Sequence, residues 1–268
     1  MTSLDDLLER LRLLLADMGD VAVAVSGGVD SLTLATVAHR QLGAQATMFH
    51  AVSPAVPAEA TARVRDLGAR ERWQLQIIDA GEFEQEEYRR NPVDRCFHCK
   101  ASLYTAILRR TRASVVSGAN LDDLSDDRPG LRAAADAGAR HPYIEAQIGK
   151  ATVRGIAARL GLGTIADLPA SPCLSSRVET GLRIRPEELA LIHDAEVLVG
   201  GMVHASTIRC RLRAHGIIIE IDGLSLNRLE DSERAQIQMQ VEALLARVGH
   251  PAPVSLAPYR MGSAVVRG

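Results

Sequence analysis

The chain has 268 residues, 47% hydrophobic and 24% charged, with a formal net charge of −2, enough apolar material for one large domain or two unequal ones. A charge so near neutrality gives no global attraction to nucleic acid, although a local basic patch is compatible with it, and no apolar run reaches the length of a membrane span. Four cysteines without a secretion signal favour thiol or metal chemistry in a reducing compartment, the cytoplasm, over a disulfide framework.

The opening MTSLDDLLERLRLLLADMG is acidic and amphipathic, with Leu4, Leu7, Leu8, Leu11 and Leu15 at helical spacing; it lacks the basic flank and unbroken apolar stretch of a signal peptide. VAVAV at 21–25, ATMFHA at 46–51, LQIID at 75–79 and ASVVSG at 113–118 read as strands, alternating with helices predicted over 30–42, 58–72, 97–111 and 150–160. That alternation predicts an α/β fold with a doubly wound parallel sheet, whose ligands sit beyond the carboxyl ends of the strands. After DLPASPCLSSR the pattern changes. PEELALIHDAEVLVGG reads as a helix, STIRCRLR and GIIIEID as two strands, and 230–248 as another helix, a smaller C-terminal α+β region. The expected domains are therefore 1–180 and 181–268.

The bend SGGVDS lies where the first strand feeds the following helix. Unpaired N–H groups of Ser26, Gly27 and Gly28 would converge there with the positive end of the helix dipole, which suits an anion. Ser26 and Ser31 can donate hydroxyl bonds to phosphate oxygens, and Asp30, which would repel a bare phosphate, makes sense if it helps hold Mg²⁺ beside a pyrophosphate. A serine-capped turn would also use SGG; the full string favours the phosphate reading. No G-x-x-x-x-G-K-[ST] loop occurs. GLGTIA at 161–166 matches the dinucleotide fingerprint but ends a helix instead of following a strand, and reads as a helix stop. SGGVDS resembles the PP-loop of the ATP pyrophosphatase superfamily, which implies cleavage of ATP to AMP and pyrophosphate with adenylation of an acceptor.

Cys96 and Cys99 stand in NPVDRCFHCKASLY and Cys173 in SPCLSSR. One C-x-x-C is half of a four-cysteine zinc site, whereas three thiolates can ligate three irons of a four-iron four-sulfur cluster and leave the fourth open to sulfide or substrate sulfur. A zinc-binding or structural pair remains the alternative. Cys173 has hydroxyl and cationic neighbours, Ser175, Ser176 and Arg177, that could favour its thiolate; a partly buried structural thiol is the other reading. Cys210 alternates with arginines and is read as core. SGANLDDLSDDRPGL supplies Asn120, Asp122, Asp123, Asp126 and Arg128 after a strand, where they can line the cleft. Lys150 and Arg154 share one helix face, either solvated or in phosphate contact. Arg209, Arg211 and Arg213 project from one face of STIRCRLR, an exposed charged face or an anion site. A two-residue turn at Ala214 and His215 would set Arg209 opposite Glu220, and a three-residue turn would not.

Taken in order, SGGVDS, HAVSP, NPVDRCFHCK, GANLDDLSDDRPGL, IGKATVRGIAARLGL and PCLSSR resemble the LarE family of ATP-dependent sacrificial sulfur transferases over nearly the whole chain. The resemblance implies a transferase that adenylates a carboxylate of pyridinium-3,5-dicarboxylate mononucleotide and converts it to a thiocarboxylate, in biosynthesis of the nickel-pincer cofactor of lactate racemase. It implies ATP contacts by Ser26, Gly27, Gly28, Asp30, Ser31 and His50, and by Gly118, Asn120, Asp122, Arg128 and Lys150. Substrate contacts fall to Ser176, Arg177, Arg209 and Arg211, the two strand arginines on a 5′-phosphate, with Glu196 and Glu220 in the substrate and metal region. Cys173, Cys96, Cys99 and Asp30 form the expected catalytic set. Family members with one active cysteine consume the sulfur of the residue matching Cys173; a chain with all three cysteines fits the cluster route. The implied cofactors are ATP, Mg²⁺ and a four-iron four-sulfur cluster. The implied partner is a small nucleotide, with no nucleic acid or membrane, and the assembly a homo-oligomer, with a hexamer as candidate.

Two other classes share these motifs. A tRNA thiolase of the PP-loop type can use C-x-x-C with a distant cysteine, but its polyanionic substrate calls for an electrostatic footprint that a charge of −2 and 3% aromatic residues do not offer. An amidotransferase-like ligase of the NAD or GMP synthetase type does not need the cysteines.

Overall fold

The computed structural model describes residues 3–124, 129–247, 249 and 251–265. In chain order the elements are α1 (Leu4–Met18), β1 (Val21–Ala24), α2 (Val29–Leu42), β2 (Ala46–Ala51), α3 (Ala58–Glu71), β3 (Gln74–Ile78), α4 (Glu86–Arg89), α5 (Arg95–Leu108) and β4 (Ser114–Ser117). There follow α6 (Pro129–Asp136), α7 (Pro142–Glu145), α8 (Lys150–Arg159), α9 (Pro186–Met202), β5 (Ile208–Arg213), β6 (Gly216–Ile221), α10 (Gly223–Arg228), α11 (Asp231–Arg247) and β7 (Val254–Pro258). They form two compact units. The first comprises Met1–Gln85 and Asp94–Ser171, the second Glu86–Val93 and Pro172–Gly268. Among the described residues no helix is long and apolar enough to cross a membrane.

In the first unit four parallel strands run in the order β3-β2-β1-β4, the α/β architecture expected from the alternating pattern. Strand side chains alternate between two cores. Val21 and Val23 face one side, buried with Leu11 and Leu15 of α1, Leu32 of α2 and Ile156 of α8. Ala22 and Ala24 face the other, buried with Phe49 of β2 and Tyr104 and Ile107 of α5. Small residues on that second face let α5 approach the sheet closely. The chain turns one way from β1 to β2 and later returns to β1's other flank with β4. The carboxyl ends of β1 and β4 are thus the topological switch point, where the sheet leaves a crevice for ligands. α1 is started by a reciprocal cap between Ser3 and Asp6.

In the second unit β5 and β6 pair antiparallel and β6 and β7 parallel. Arg213 pairs with Gly216 and Arg209 with Glu220, so the turn is the two-residue one, at Ala214 and His215. Cys210, Ile219 and Ile221 are buried in this sheet, and α9 packs against β5 and α11. The segment Glu86–Val93 joins this unit through side chains and backbone alike. Asn91, fully buried with a left-handed φ of 55°, donates from Nδ2 to the carbonyls of Val178 (3.3 Å) and Glu179 (2.8 Å). The Gly181 and Ile184 amides donate to the carbonyls of Asn91 and Arg89, and Glu86 takes a forked pair from Arg183 at 2.6 and 2.7 Å. That fork holds the Glu86 carboxyl at about 2, well below its ordinary value.

Candidate active site

β1 stops at Ala24, and the chain bends through Ser26, Gly27 and Gly28 into α2. Gly27 has φ 85°, and a Cβ there would lie 2.7 Å from the Ala60 carbonyl oxygen of α3. Only glycine fits both the backbone and the approach. Gly28 is the N-cap of α2 and provides no side-chain cap, so the first-turn amides of α2 are left for another acceptor. Ser31 is turned inward. Its Oγ accepts from the Ser26 amide (3.0 Å) and donates to the Gly28 carbonyl (3.1 Å), which uses the hydroxyl to shape the bend; Ser26 is exposed.

The bend is also braced from behind. His50, at 0% exposure, donates from Nδ1 to the Val25 carbonyl (2.8 Å) and accepts at Nε2 from Thr61 Oγ1 (2.9 Å). It therefore acts on the bend through protein contacts. Burial depresses its pKa first of all; the bond to Val25 opposes this and nearby Arg65 reinforces it. Arg63 donates from Nε to the Gly27 carbonyl (3.1 Å). Thr61, Arg63 and Ala60 carry no motif, and the sequence reading missed them; only their place on a helix after the second strand could have pointed to them.

At the switch point three segments meet on Asp30. Asn120 Nδ2 donates to Asp30 Oδ1 (3.3 Å), Lys150 Nζ pairs with Oδ2, and the Tyr143 hydroxyl donates to the Asp30 carbonyl (3.0 Å). Tyr143 is fully buried, and burial, then the Asp30 charge, pushes its hydroxyl well above the ordinary range. Gly118 lets this approach happen, since a Cβ on it would lie 3.0 Å from Asp30 and Ser31 backbone atoms. Asp122 Oδ2 accepts from the Lys150 amide at 2.6 Å, a carboxylate on the first turn of α8. The bend thus has a lysine beside it after all, delivered from α8. Asp30 is already compensated by an ammonium and an amide; a Mg²⁺ ion taking its carboxylate would have to replace Lys150 there. Arg154, by contrast, donates to the carbonyls of Ala166 and Leu168 and closes the turn after α8, where Gly161 and Gly163 have positive φ. Asp126 and Arg128 lie outside the described residues.

Cys96 sits in the first turn of α5 and Cys99 about one turn on, on the same side of the helix, and all four cysteines are thiols. Among the described residues no group of three His, Cys, Asp or Glu side chains is placed to hold a metal ion.

In the second unit the half-exposed Cys173 precedes a 3₁₀ turn, Leu174–Arg177. Arg177 is buried and bonds Glu196 through Nε (3.0 Å) and Nη2 (3.1 Å). Its Nη1 reaches the carbonyls of Pro172 and Cys173 and the Ser176 hydroxyl. Of the three strand arginines, Arg211 is buried and donates to Glu220 at 2.9 Å and to the Ser176 carbonyl at 3.1 Å, while Arg213 lies 3.8 Å from Glu179. Arg209 donates to the Ile208 carbonyl (2.7 Å); burial, then the neighbouring Arg177 cation, holds its guanidinium below the ordinary value. Acids do interleave this cationic face, from outside the strand. Cys210 is a core thiol, pushed far up by burial.

A four-stranded parallel sheet flanked by helices, with a glycine bend at its switch point and a smaller separate sheet, defines an α/β protein of PP-loop-like fold. No family model matches the chain. It is 38% identical over 201 residues to an uncharacterized protein of Synechocystis, covering 72% of this chain and 74% of that one. It is 31% identical over 137 residues to an uncharacterized protein of Methanocaldococcus jannaschii, 50% and 53% of the two chains. Over 217 residues it is 30% identical to the pyridinium-3,5-bisthiocarboxylic acid mononucleotide synthase of Lactiplantibacillus plantarum, 78% of this chain and 76% of that enzyme. The chain belongs to the family of that synthase.

Proposed function

We propose that the protein is an AMP-forming sulfur transferase that replaces a carboxylate oxygen of pyridinium-3,5-dicarboxylate mononucleotide with sulfur, as a step toward a nickel-pincer cofactor. The observation that carries this reading is the convergence of Asp30, Asn120 and Lys150 beside the amides of the Ser26–Gly28 bend, in a chain of the synthase family. The amides and Lys150 take the phosphate tail of ATP, and Asp30 and Asp122 hold Mg²⁺ beside it. A substrate carboxylate oxygen attacks the α-phosphorus and pyrophosphate leaves with the bond electrons. Placing the negative tail against preorganised donors stabilises that departure. The Cys173 thiolate then attacks the acyl carbon and AMP departs with the electrons of the acyl C–O bond, giving a thioester. Loss of the Cys173 Cα proton to a base and cleavage of its Cβ–Sγ bond releases the thiocarboxylate and leaves dehydroalanine. An external hydrosulfide bound beside Cys173 would instead displace AMP, lose its proton and give the thiocarboxylate with the cysteine intact. Arg209 faces the nucleotide's phosphate in this reading, and Arg211, buried and held by Glu220 and the Ser176 carbonyl, braces the strand beside it.

Ligation of a four-iron four-sulfur cluster by Cys96, Cys99 and Cys173 belongs to the proposal, with iron and acid-labile sulfide content as its measure; no step above runs through it. The test of the function is anaerobic incubation with ATP and the mononucleotide. Pyrophosphate, AMP and thiocarboxylate are expected in equal amounts, and Asp30→Ala is expected to abolish all three while the protein stays folded by circular dichroism. ADP and orthophosphate as the products would overturn the reading. Intact-protein mass before and after turnover separates consumption of Cys173 sulfur from delivery of an external one.

A further inference from the structure

We propose that Arg177 is a positioning residue for Cys173 and not a contact for the nucleotide. The inference rests on the sulfur-transfer reading above.

Every part of the guanidinium is engaged inside the second unit. Arg177 is 2% exposed. Two of its nitrogens fork onto Glu196 at 3.0 and 3.1 Å, and the third spans the carbonyls of Pro172 and Cys173, the latter at 3.0 Å, with Ser176 Oγ at 3.2 Å. A side chain so enclosed has no face to turn toward a ligand in solution. What it does reach is the backbone on which Cys173 hangs. The anchor at the other end is firm too: Glu196 Oε1 also accepts the Cys210 amide of β5 at 3.0 Å. A chain of charge-assisted bonds therefore runs from the sheet through Glu196 and Arg177 to the peptide groups on either side of the Cys173 Cα.

The far side of the same loop is pinned independently. Ser175 Oγ and the Tyr88 hydroxyl lie 2.7 Å apart, both buried, and the Ser176 amide donates to the Cys173 carbonyl at 3.0 Å. With its backbone held from both sides, Cys173 retains rotation about its own side chain and little else. A sulfur that must meet an acyl carbon at near-attack distance benefits from that restriction, since displacement of a reacting atom by about 1 Å can cost about a hundredfold in rate. Arginine is required for this geometry. A lysine ammonium could bond Glu196 or the carbonyls but cannot present a planar fork to the carboxylate and reach both carbonyls at once.

The experiment compares the full-length wild type with Arg177→Lys and Glu196→Gln. Peptide-resolved mass spectrometry follows alkylation of Cys173 by iodoacetamide, with the buried Cys210 as an internal measure of folding, and steady-state kinetics are recorded alongside. Release of the loop should speed Cys173 alkylation by about threefold or more, as expected for local opening, while Cys210 stays protected. The sulfur-transfer kcat should fall by about tenfold or more with the mononucleotide KM within about twofold of wild type. Should Arg177→Lys expose Cys210, the comparison passes to Glu196→Gln, which keeps an acceptor for the Cys210 amide. Unchanged Cys173 alkylation in both variants overturns the proposal. So does a large rise in the mononucleotide KM with kcat retained, the signature of a substrate contact. A wild-type protein with no sulfur transfer at all would defeat the functional reading instead, while the alkylation comparison would still decide the role of Arg177.

Discussion

Replacing Arg211 by methionine should destabilise the second unit far more than loss of a surface cation would. Arg211 and Glu220 form an ion pair at 2.9 Å with both side chains 5% exposed. Arg211 also donates to the carbonyls of Ser176 (3.1 Å) and Arg260 (3.4 Å) and lies 6.0 Å from the Tyr259 ring. Methionine matches much of its length but strands the Glu220 carboxylate without its counter-charge. Breaking a buried pair from one side costs about 3–5 kcal/mol, whereas replacing both partners by apolar residues is often neutral. Arg211→Met is therefore expected to lose about 3–5 kcal/mol, and Arg211→Met/Glu220→Leu to recover most of it. A pair this enclosed is weakly screened, so the loss should be similar at low and high salt. The assay is urea unfolding followed by hydrogen exchange at the amides of β5 and β6, which reports on the second unit alone. An Arg211→Met protein within about 1 kcal/mol of wild type, or a double variant less stable than the single, would refute the reasoning.

Two further outcomes concern the first unit. Gly27→Ala should cost about 1–2 kcal/mol for the left-handed backbone alone, and more because the Ala60 carbonyl would have to move from 2.7 Å; thermal melting and pyrophosphate release should both fall, and a wild-type melt would sink the account of the bend. His50 should make stability depend on pH. Its folded pKa lies below the ordinary 6.5, so the unfolded chain binds the extra proton first as pH drops. Stability is full above about 6.5 and declines as pH falls from there toward the folded value. Protonation of Nε2 would also remove the acceptor for Thr61. A His50→Gln protein should show a flatter stability profile between pH 7 and 5 than the wild type, and an identical slope would contradict the assignment.

Much of the first unit was legible because its strands are short apolar runs separated by long periodic helices. The bend was legible because glycine and serine spacing encodes a backbone shape. Cys210 declared itself by alternation, and the hairpin register came down to a turn length that only the structure supplies. What stayed hidden has physical reasons. α4, α7 and α10 are too short to show a helical period, and β7 ends on Pro258 at a sheet edge with little alternation. The start of α5 at Arg95, two residues before the expected 97, puts Cys96 inside the helix. Arg177 entered as a substrate contact implied by resemblance, and sequence does not reveal that Glu196, nineteen positions away, bonds its guanidinium. The Lys150 pairing with Asp30 across 120 positions was invisible for the same reason.

The excursion at Glu86–Val93 has a consequence for biosynthesis. On the ribosome these eight residues emerge about ninety positions before Val178, Glu179 and Gly181, their hydrogen-bonding partners. Until those and Ser175 are translated, the second-unit partners of Asn91 and Tyr88 are missing, and the lead-in to α5 waits for them. A fragment beginning at Pro172 would lack that lead-in altogether, and adding a peptide of residues 86–93 in trans should restore its compactness.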